Sequence, residues 1–209
     1  MDPTAIAVRS LDPEQRSAVV NVLAEAFEHD PMQEWLFPNA KRRVRRLRRF
    51  YERDVVIRLE GTAMACFFDS QGVAFWQPPG GGETLSIGSA LRLAPCFSSV
   101  LAHHPVAAAS VLAAVLRQRP PEPHWYLNHL AVRPGDQGKG LGRTLLQWGI
   151  ERADDEGVGT YLETTNPDNL SFYRAAGYSQ VGIVRVDGAP TVWSLWRGPT
   201  NLSSTPPSP

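Results

Sequence analysis

Arg133-Pro134-Gly135-Asp136-Gln137-Gly138-Lys139-Gly140-Leu141-Gly142-Arg143-Thr144 lies between His124–Val132, which predicts a strand, and Gly140–Glu156, which predicts a helix. In the second run Leu141, Leu145, Trp148 and Arg152 recur at helical spacing, and Gly157 supplies a stop. Gly138, Gly140 and Gly142 are spaced by two. Residues without Cβ let successive main-chain N–H groups approach a polyanion, and the first turn of the following helix adds unpaired donors and a partial positive charge. A phosphate or pyrophosphate is the natural guest, and Lys139 can add a cation. Two familiar nucleotide motifs fail here. A P-loop needs Ser or Thr directly after Gly-Lys, but Gly140 follows Lys139. The dinucleotide fingerprint needs a third glycine three residues after the second. That position holds Arg143 counted from Gly138 and Gly140, or Leu145 counted from Gly140 and Gly142. The pattern that fits is Gln-x-x-Gly-x-Gly, at Gln137, Gly140 and Gly142.

Outward from this loop, strands and helices alternate. Thr4–Arg9 reads as a short strand. Asp12-Pro13 gives an N-cap and a first helical residue for a helix reaching about Glu28. His29-Asp30-Pro31 breaks it, and Trp35, Leu36 and Phe37 are expected in an apolar loop. A helix over Ala40–Leu59 contains Lys41–Phe50, in which seven of ten residues are basic. Val44, Leu47, Phe50 and Tyr51 mark its buried side, which assigns the arginines to solvent. Residues 62–69 and 72–77 predict paired strands, and 85–116 a helix interrupted near Pro95 and Pro105. Thr160–Thr165 predicts a strand, Asp168–Ala176 a helix, and Tyr178–Val186 and Thr191–Trp196 the closing strands. The fold class is α/β (α+β), as a single domain over 1–198, with a Pro/Ser-rich tail at 199–209 expected to be disordered.

The 209 residues balance 21 Lys+Arg against 21 Asp+Glu, so no broadly basic surface is expected and no nucleic-acid partner. Of the basic residues 19 are arginine, and Lys41 and Lys139 are the only lysines. Cys66 and Cys96 form no Cys-x-x-Cys pair, which argues against a disulfide framework or a cysteine-based zinc site. His103-His104 has no carboxylate or cysteine at ligand spacing and reads as surface, so no metal is expected. The start lacks an export pattern, and the longest apolar run, Val106–Leu116, is too short to span a bilayer. These features predict a cytoplasmic protein without a membrane partner, and leave monomer or homodimer open.

The loop motif, preceded by Leu130-Ala131-Val132, resembles the signature of the GCN5-related N-acetyltransferase (GNAT) family. A second motif strengthens the likeness: Asn166-x-x-Asn169-x-x-x-Tyr173-x-x-x-Gly177-Tyr178 is similar to that family's Asn, Tyr and Gly-aromatic helix. Within the family, Gln137–Gly142, Leu162-Glu163-Thr164, Asn169-Leu170 and Phe172-Tyr173 are most similar to the branch that acetylates puromycin, with a weaker echo at Ala26-Phe27 and Pro31. The resemblance covers the second half of the chain well and the first half poorly. It implies a central mixed, mostly antiparallel sheet with helices on both faces, and acetyl-CoA as co-substrate. It implies that Gln137, Gly138, Lys139, Gly140, Leu141, Gly142 and Arg143 hold the pyrophosphate. Main-chain N–H groups of a strand bulge at Leu130 and Val132 would hold the thioester carbonyl, and Asn166 and Asn169 the rest of the cofactor. The expected reaction is acetyl transfer to a primary amine of a small molecule, aminonucleoside or antibiotic-like, by direct attack in a ternary complex. A protein or peptide amine is the alternative acceptor, and a non-catalytic acyl-CoA-binding module the alternative class.

Such a transfer needs a deprotonated amine, a stabilised carbonyl oxygen and a proton for the departing thiolate. Tyr173, with an ordinary phenol value near 10, can supply that proton, and Asn169 lies one helical turn before it. For the amine, strand alternation puts His124, Tyr126 and Asn128 on one face and Trp125, Leu127 and His129 on the other. His124 is a candidate base and Asn128 can orient the amine or a water; Glu163 and a water-mediated route remain open. His29, Asp30, Trp35 and Tyr126 are candidate acceptor contacts.

Overall fold

Seven strands form one sheet in a computed structural model that describes residues 6–8, 10–68, 70–81 and 92–200. The strands are β1 (Ile6–Val8), β2 (Met64–Phe68), β3 (Gly72–Gln77), β4 (His124–Val132), β5 (Gly159–Thr164), β6 (Ser179–Val184) and β7 (Val192–Arg197). Their order is β1-β2-β3-β4-β5-β7-β6. Every neighbouring pair is antiparallel except β4 and β5. The helices are α1 (Pro13–Ala26), α2 (Pro31–Leu36), α3 (Ala40–Glu60), α4 (Ser98–His103), α5 (Pro105–Gln118), α6 (Leu141–Asp155) and α7 (Asn169–Ala175). This is the mixed, mostly antiparallel α/β sheet that the resemblance implied. The segment 82–91, which begins the helix expected over 85–116, lies outside the described residues, as do Thr4, Ala5 and Arg9 of the first strand and 201–209 of the tail.

The period-two alternation of the strands divides the core between the two faces. On one face Val19, Val22 and Leu23 of α1 and Leu47, Tyr51 and Val55 of α3 pack on Ala65, Phe67, Val73 and Phe75. On the other, Leu145, Leu146 and Ile150 of α6 pack on Cys66, Ala74, Trp76 and Leu127.

Two local expectations change. Residues 31–36 form a helix instead of a loop, because Asp30 accepts from the N–H groups of Met32 and Gln33 while Pro31 fills the first position. Arg43 is buried instead of facing solvent. Its guanidinium donates to the carbonyls of Phe37 and Glu28 and to Glu34 Oε1, satisfying chain-end acceptors that the helix breaks leave open.

The sheet is interrupted in two places that shape the site. β4 pairs with β5 only from His124–Leu127 to Gly159–Leu162, and beyond them the two parallel strands part. β4 also bulges: Trp76 is opposite Leu127 but Phe75 is opposite His129, leaving Asn128 as the extra residue. The expected bulge at Leu130–Val132 therefore lies slightly upstream. The extra residue reverses the alternation, so His129 and Ala131 face α1 and α3 while Trp125 and Leu127 face α6. Simple alternation had placed His129 with Trp125 and Leu127.

Gly149 of α6 passes so close to the sheet that a Cβ there would fall 2.2 Å from the Trp76 indole, whose Nε1 donates to the Leu145 carbonyl. Gly149→Ala should therefore cost about 1–3 kcal/mol, read from urea unfolding. Unchanged stability would contradict this close packing.

Candidate active site

The glycine loop meets the geometric demands of an anion cradle. Gly138 (φ 77°) and Gly140 (φ 84°) are in the left-handed region, and a Cβ on either would meet nothing within 4 Å. Gly140 caps α6 without a side-chain hydrogen bond, so the N–H groups of Leu141, Gly142 and Arg143 begin the helix with no intrahelical acceptor. Neighbouring contacts fix the loop. Gln137 Nε2 donates to the Val132 carbonyl, and Lys139 Nζ lies 2.6 Å from Asp136 Oδ1, holding that carboxyl below its ordinary value. Gly138, Gly140, Leu141, Gly142, Arg143 and Gln137 line a cavity of about 430 Å³, closed on its other side by Leu130, Val132, Asn169, Phe172 and Tyr173.

The parting of β4 from β5 exposes main chain to this cavity. Arg133 N–H donates to the Gln71 carbonyl on the β3 side. Because successive N–H groups point to opposite sides of a strand, those of Leu130 and Val132 point away from β3, into the gap.

A second cavity, of about 250 Å³, opens on the α1 and α3 side of the same gap and shares Leu130, Asn169 and Tyr173 with the first. Asp30, Tyr126, Asn128, His129 and Glu163 are its polar walls, and Phe27, Met32, Val115 and Val192 its apolar ones. Tyr173 is buried, and burial, then the Asp30 charge, pushes its phenol up. Burial also raises the Asp30 and Glu163 carboxyls. Tyr126 donates its hydroxyl to Glu163 Oε2 at 2.6 Å, with the Arg119 guanidinium 4.5 Å from the Tyr126 ring centre.

The sequence pattern of the Acetyltransferase (GNAT) family matches residues 25–178. The chain belongs to this family. It is therefore an acetyl-CoA-dependent N-acetyltransferase at the level the family defines, and the matched span contains the whole lining of the first cavity and all but Val192 of the second. Among solved structures the enzyme is similar to a histone acetyltransferase HPA2 and related acetyltransferase from Corynebacterium glutamicum, at 25% identity over 97% of this chain and 99% of that one, with a TM-score of 0.67. Two likenesses are of fold alone. Arylalkylamine N-acetyltransferase 2 from Aedes aegypti shares 13% identity over 93% of this chain and 98% of that one, TM-score 0.57. PaiA N-acetyltransferase from Thermoplasma acidophilum, solved in complex with coenzyme A, shares 13% over 93% and 99%, TM-score 0.52.

Against the second cavity of this GNAT enzyme stands a buried polar cluster that sequence reasoning missed. Asp54 Oδ2 lies 2.6 Å from Arg58 Nε and 2.8 Å from His129 Nε2, and Arg58 Nη1 donates to Asn128 Oδ1. Burial alone would raise Asp54, but Arg58 and His129 outweigh it and hold the carboxyl well below the carboxylate range. Burial and then Arg58 hold His129 below its ordinary value, against the pull of Asp54. The available signal was a charged pair, Asp54 and Arg58, on the helix side marked by Leu47 and Tyr51.

Five expected site residues do not line the cavities, the first being Lys139, whose half-exposed ammonium turns to Asp136. His124 packs its ring on Tyr161 and Trp196 and bonds the Glu122 carbonyl through Nδ1; it is about 13 Å along the strand from Asn128. His29 is 81% exposed beside Glu34, because the turn that carries it points outward. Trp35 lies against His104. Asn166 turns back to accept from the Asp168 N–H, serving the turn before α7. Among the described residues no group of His, Cys, Asp and Glu is arranged to hold a metal ion, and no helix is long and apolar enough to cross a membrane.

Since the folded value of Asp54 is depressed, its stabilising contribution is full above the ordinary carboxylate value near 4 and is lost as pH falls through the folded value. Asp54→Ala should cost about 3–5 kcal/mol at pH 7. Urea unfolding should show that deficit shrinking as pH drops below about 4. A deficit independent of pH would contradict an ionised Asp54.

Proposed function

We propose that this enzyme acetylates the primary amine of a small molecule with an apolar body, by direct attack in a ternary complex. The observation that carries this reading is that a glycine-lined cavity and a polar, partly acidic cavity meet at Leu130, Asn169 and Tyr173. The first fits a pyrophosphate-bearing thioester: open space stands where Cβ atoms would be, and an uncapped helix start faces it. In this reading Gln137 and Lys139 fix the loop, while the amides from Gly138 to Arg143 take the phosphates. Asn169 bonds the arm between phosphate and thioester.

Acetyl-CoA supplies an activated acetyl group when bound. The N–H groups of Leu130 and Val132 point where a carbonyl oxygen can be held, a role needing no side chain. Asn128, fixed by Arg58, orients the amine, and the ionisable groups around Asp30 favour a cationic guest. Tyr173 donates its phenolic proton to the departing sulfur and recovers one from the nitrogen once the C–N bond has formed. No acyl-cysteine step is needed: burial pushes the Cys66 thiol up to about 12, and Cys96 lines a different cleft, against Arg53.

A cavity of about 250 Å³ suits a small amine better than a peptide segment. The likeness of Gln137–Gly142 and Leu162–Thr164 to the puromycin-acetylating branch makes an aminonucleoside the first acceptor to try. Thiol release from acetyl-CoA with a panel of amines, puromycin included, tests the reading. CoA binding without release by any amine would overturn it.

Two variants test the roles. Tyr173→Phe should lower kcat by about 10²–10⁴-fold with CoA affinity nearly unchanged in calorimetry. Equal loss of rate and affinity would make Tyr173 a packing residue. Gly140→Val should abolish CoA binding, since a β-branched residue is strained at φ 84° and fills the cradle. Retained affinity would overturn the loop assignment.

A further inference from the structure

An alkyl ammonium must lose a proton before it attacks, and the roles proposed above leave that step unassigned. The groups around the amine cavity differ in what they have free. Asp30 is tied into the start of α2: its Oδ1 accepts from the Met32 and Gln33 N–H groups, and the one Thr165 hydroxyl hydrogen lies between Oδ1 and Oδ2. Glu163 Oε2 receives the Tyr126 hydroxyl, and Oε1 is sealed inside the protein, 3.7 Å from Arg119 Nε. His124 lies outside the cavity.

His129 is built differently. Its Nε2 faces the ionised Asp54, so the neutral ring carries its proton on Nε2 and keeps a lone pair on Nδ1. Nδ1 accepts no hydrogen bond from the described residues, and it is not among the polar atoms sealed inside the protein. The ring is held edge-on by Tyr51, Phe27 and Phe75, and it lines the amine cavity. It is there only because Asn128 is an extra residue; in a regular strand the imidazole would turn toward α6.

We infer that His129 is the catalytic base that takes the proton from the acceptor ammonium, with Asp54 and Arg58 as its positioning residues. The inference rests on the amine reading of this cavity. In the step, an N–H bond of the ammonium breaks, its electron pair stays on the amine nitrogen, and an N–H bond forms at Nδ1. The imidazolium is paired by Asp54 and passes its proton to water when the product leaves. Arg58 does two jobs: it holds Asp54 in place and disfavours a ring protonated before the amine arrives. Asp54, Arg58 and Tyr51 face the ring from α3, and Asp30, Tyr126, Glu163 and Tyr173 share its cavity, so these groups set its titration.

Two measurements test this. Nitrogen-15 spectra of the histidine side chains in the ligand-free protein should show His129 protonated at Nε2 and bare at Nδ1 at neutral pH. The opposite tautomer would overturn the inference, whatever the enzyme acetylates. In kinetics, His129→Gln should keep CoA affinity, lose about 10²-fold or more in kcat, and lose the acidic limb of kcat/KM. That limb should lie below the ordinary histidine value of about 6.5 and persist in Glu163→Gln. Turnover of His129→Gln within about threefold of the parent, or loss of the limb in Glu163→Gln instead, would overturn it. Absence of turnover in the parent enzyme would refute the acceptor reading, while the tautomer would still decide the state of the dyad.

Discussion

The parting of β4 from β5 is the constraint on which the rest of the site depends. Parallel strands satisfy each other's main-chain groups only while they remain paired, and these two stop after Leu127 and Leu162. From there to Val132, one edge of β4 presents N–H and C=O groups that no strand pairs, which is costly unless something else takes them, as Gln137 takes the Val132 carbonyl. The gap joins the glycine-lined cavity on the α6 side to the polar cavity on the α1 and α3 side. Tyr173 and Asn169, one turn apart on α7, line both. In the proposed reaction a polyanionic thioester and an amine need two compartments meeting at one point, and the broken sheet offers two that do.

The bulge at Asn128 is the second element of the same design. One inserted residue turns His129 toward α3 and places it beside Asp54. Burying three ionisable groups, Asp54, Arg58 and His129, is costly, and such clusters seldom add net stability over apolar packing. Their mutual hydrogen bonds offset the cost only if each stays in place. The same rigidity fixes the Asn128 amide and the tautomer of His129, so a feature poorly justified by stability acquires a reason in the chemistry.

Local signals made much of this legible in the sequence. Alternating glycines after a strand are a backbone message: Gly138 and Gly140 stand in left-handed conformations, and Gly142 is already in the first turn of α6. Tyr173 and Asn169 stood out through the motif that resembles the family's, and helical spacing puts them on one side. The bulge was not visible, because it is a property of the β3–β4 register, and one residue of slip exchanges the two faces. The ion cluster spans 75 residues between Asp54 and His129, which no periodicity links. Arg43 looked like one more solvent-facing arginine, yet it serves carbonyls whose exposure depends on where α1 and α2 end. His124 was chosen for its chemistry on β4, but the length of extended strand between it and Asn128 puts it outside the cavity.

The balanced charge argues against a broadly basic surface but does not exclude an anionic cofactor. Backbone amides register in no charge count, and in the proposed reading they are the cradle. The central claim is that the cofactor enters the gap between β4 and β5, with its phosphates on the start of α6. Backbone amide spectra recorded during titration with CoA test it most directly. The account predicts that the largest shifts fall on Leu130, Val132 and Gly138–Arg143, with Asn169 and Tyr173 next. Shifts centred on the arginine-lined cleft at Arg46, Arg49 and Arg53, with the glycine loop unmoved, would contradict it.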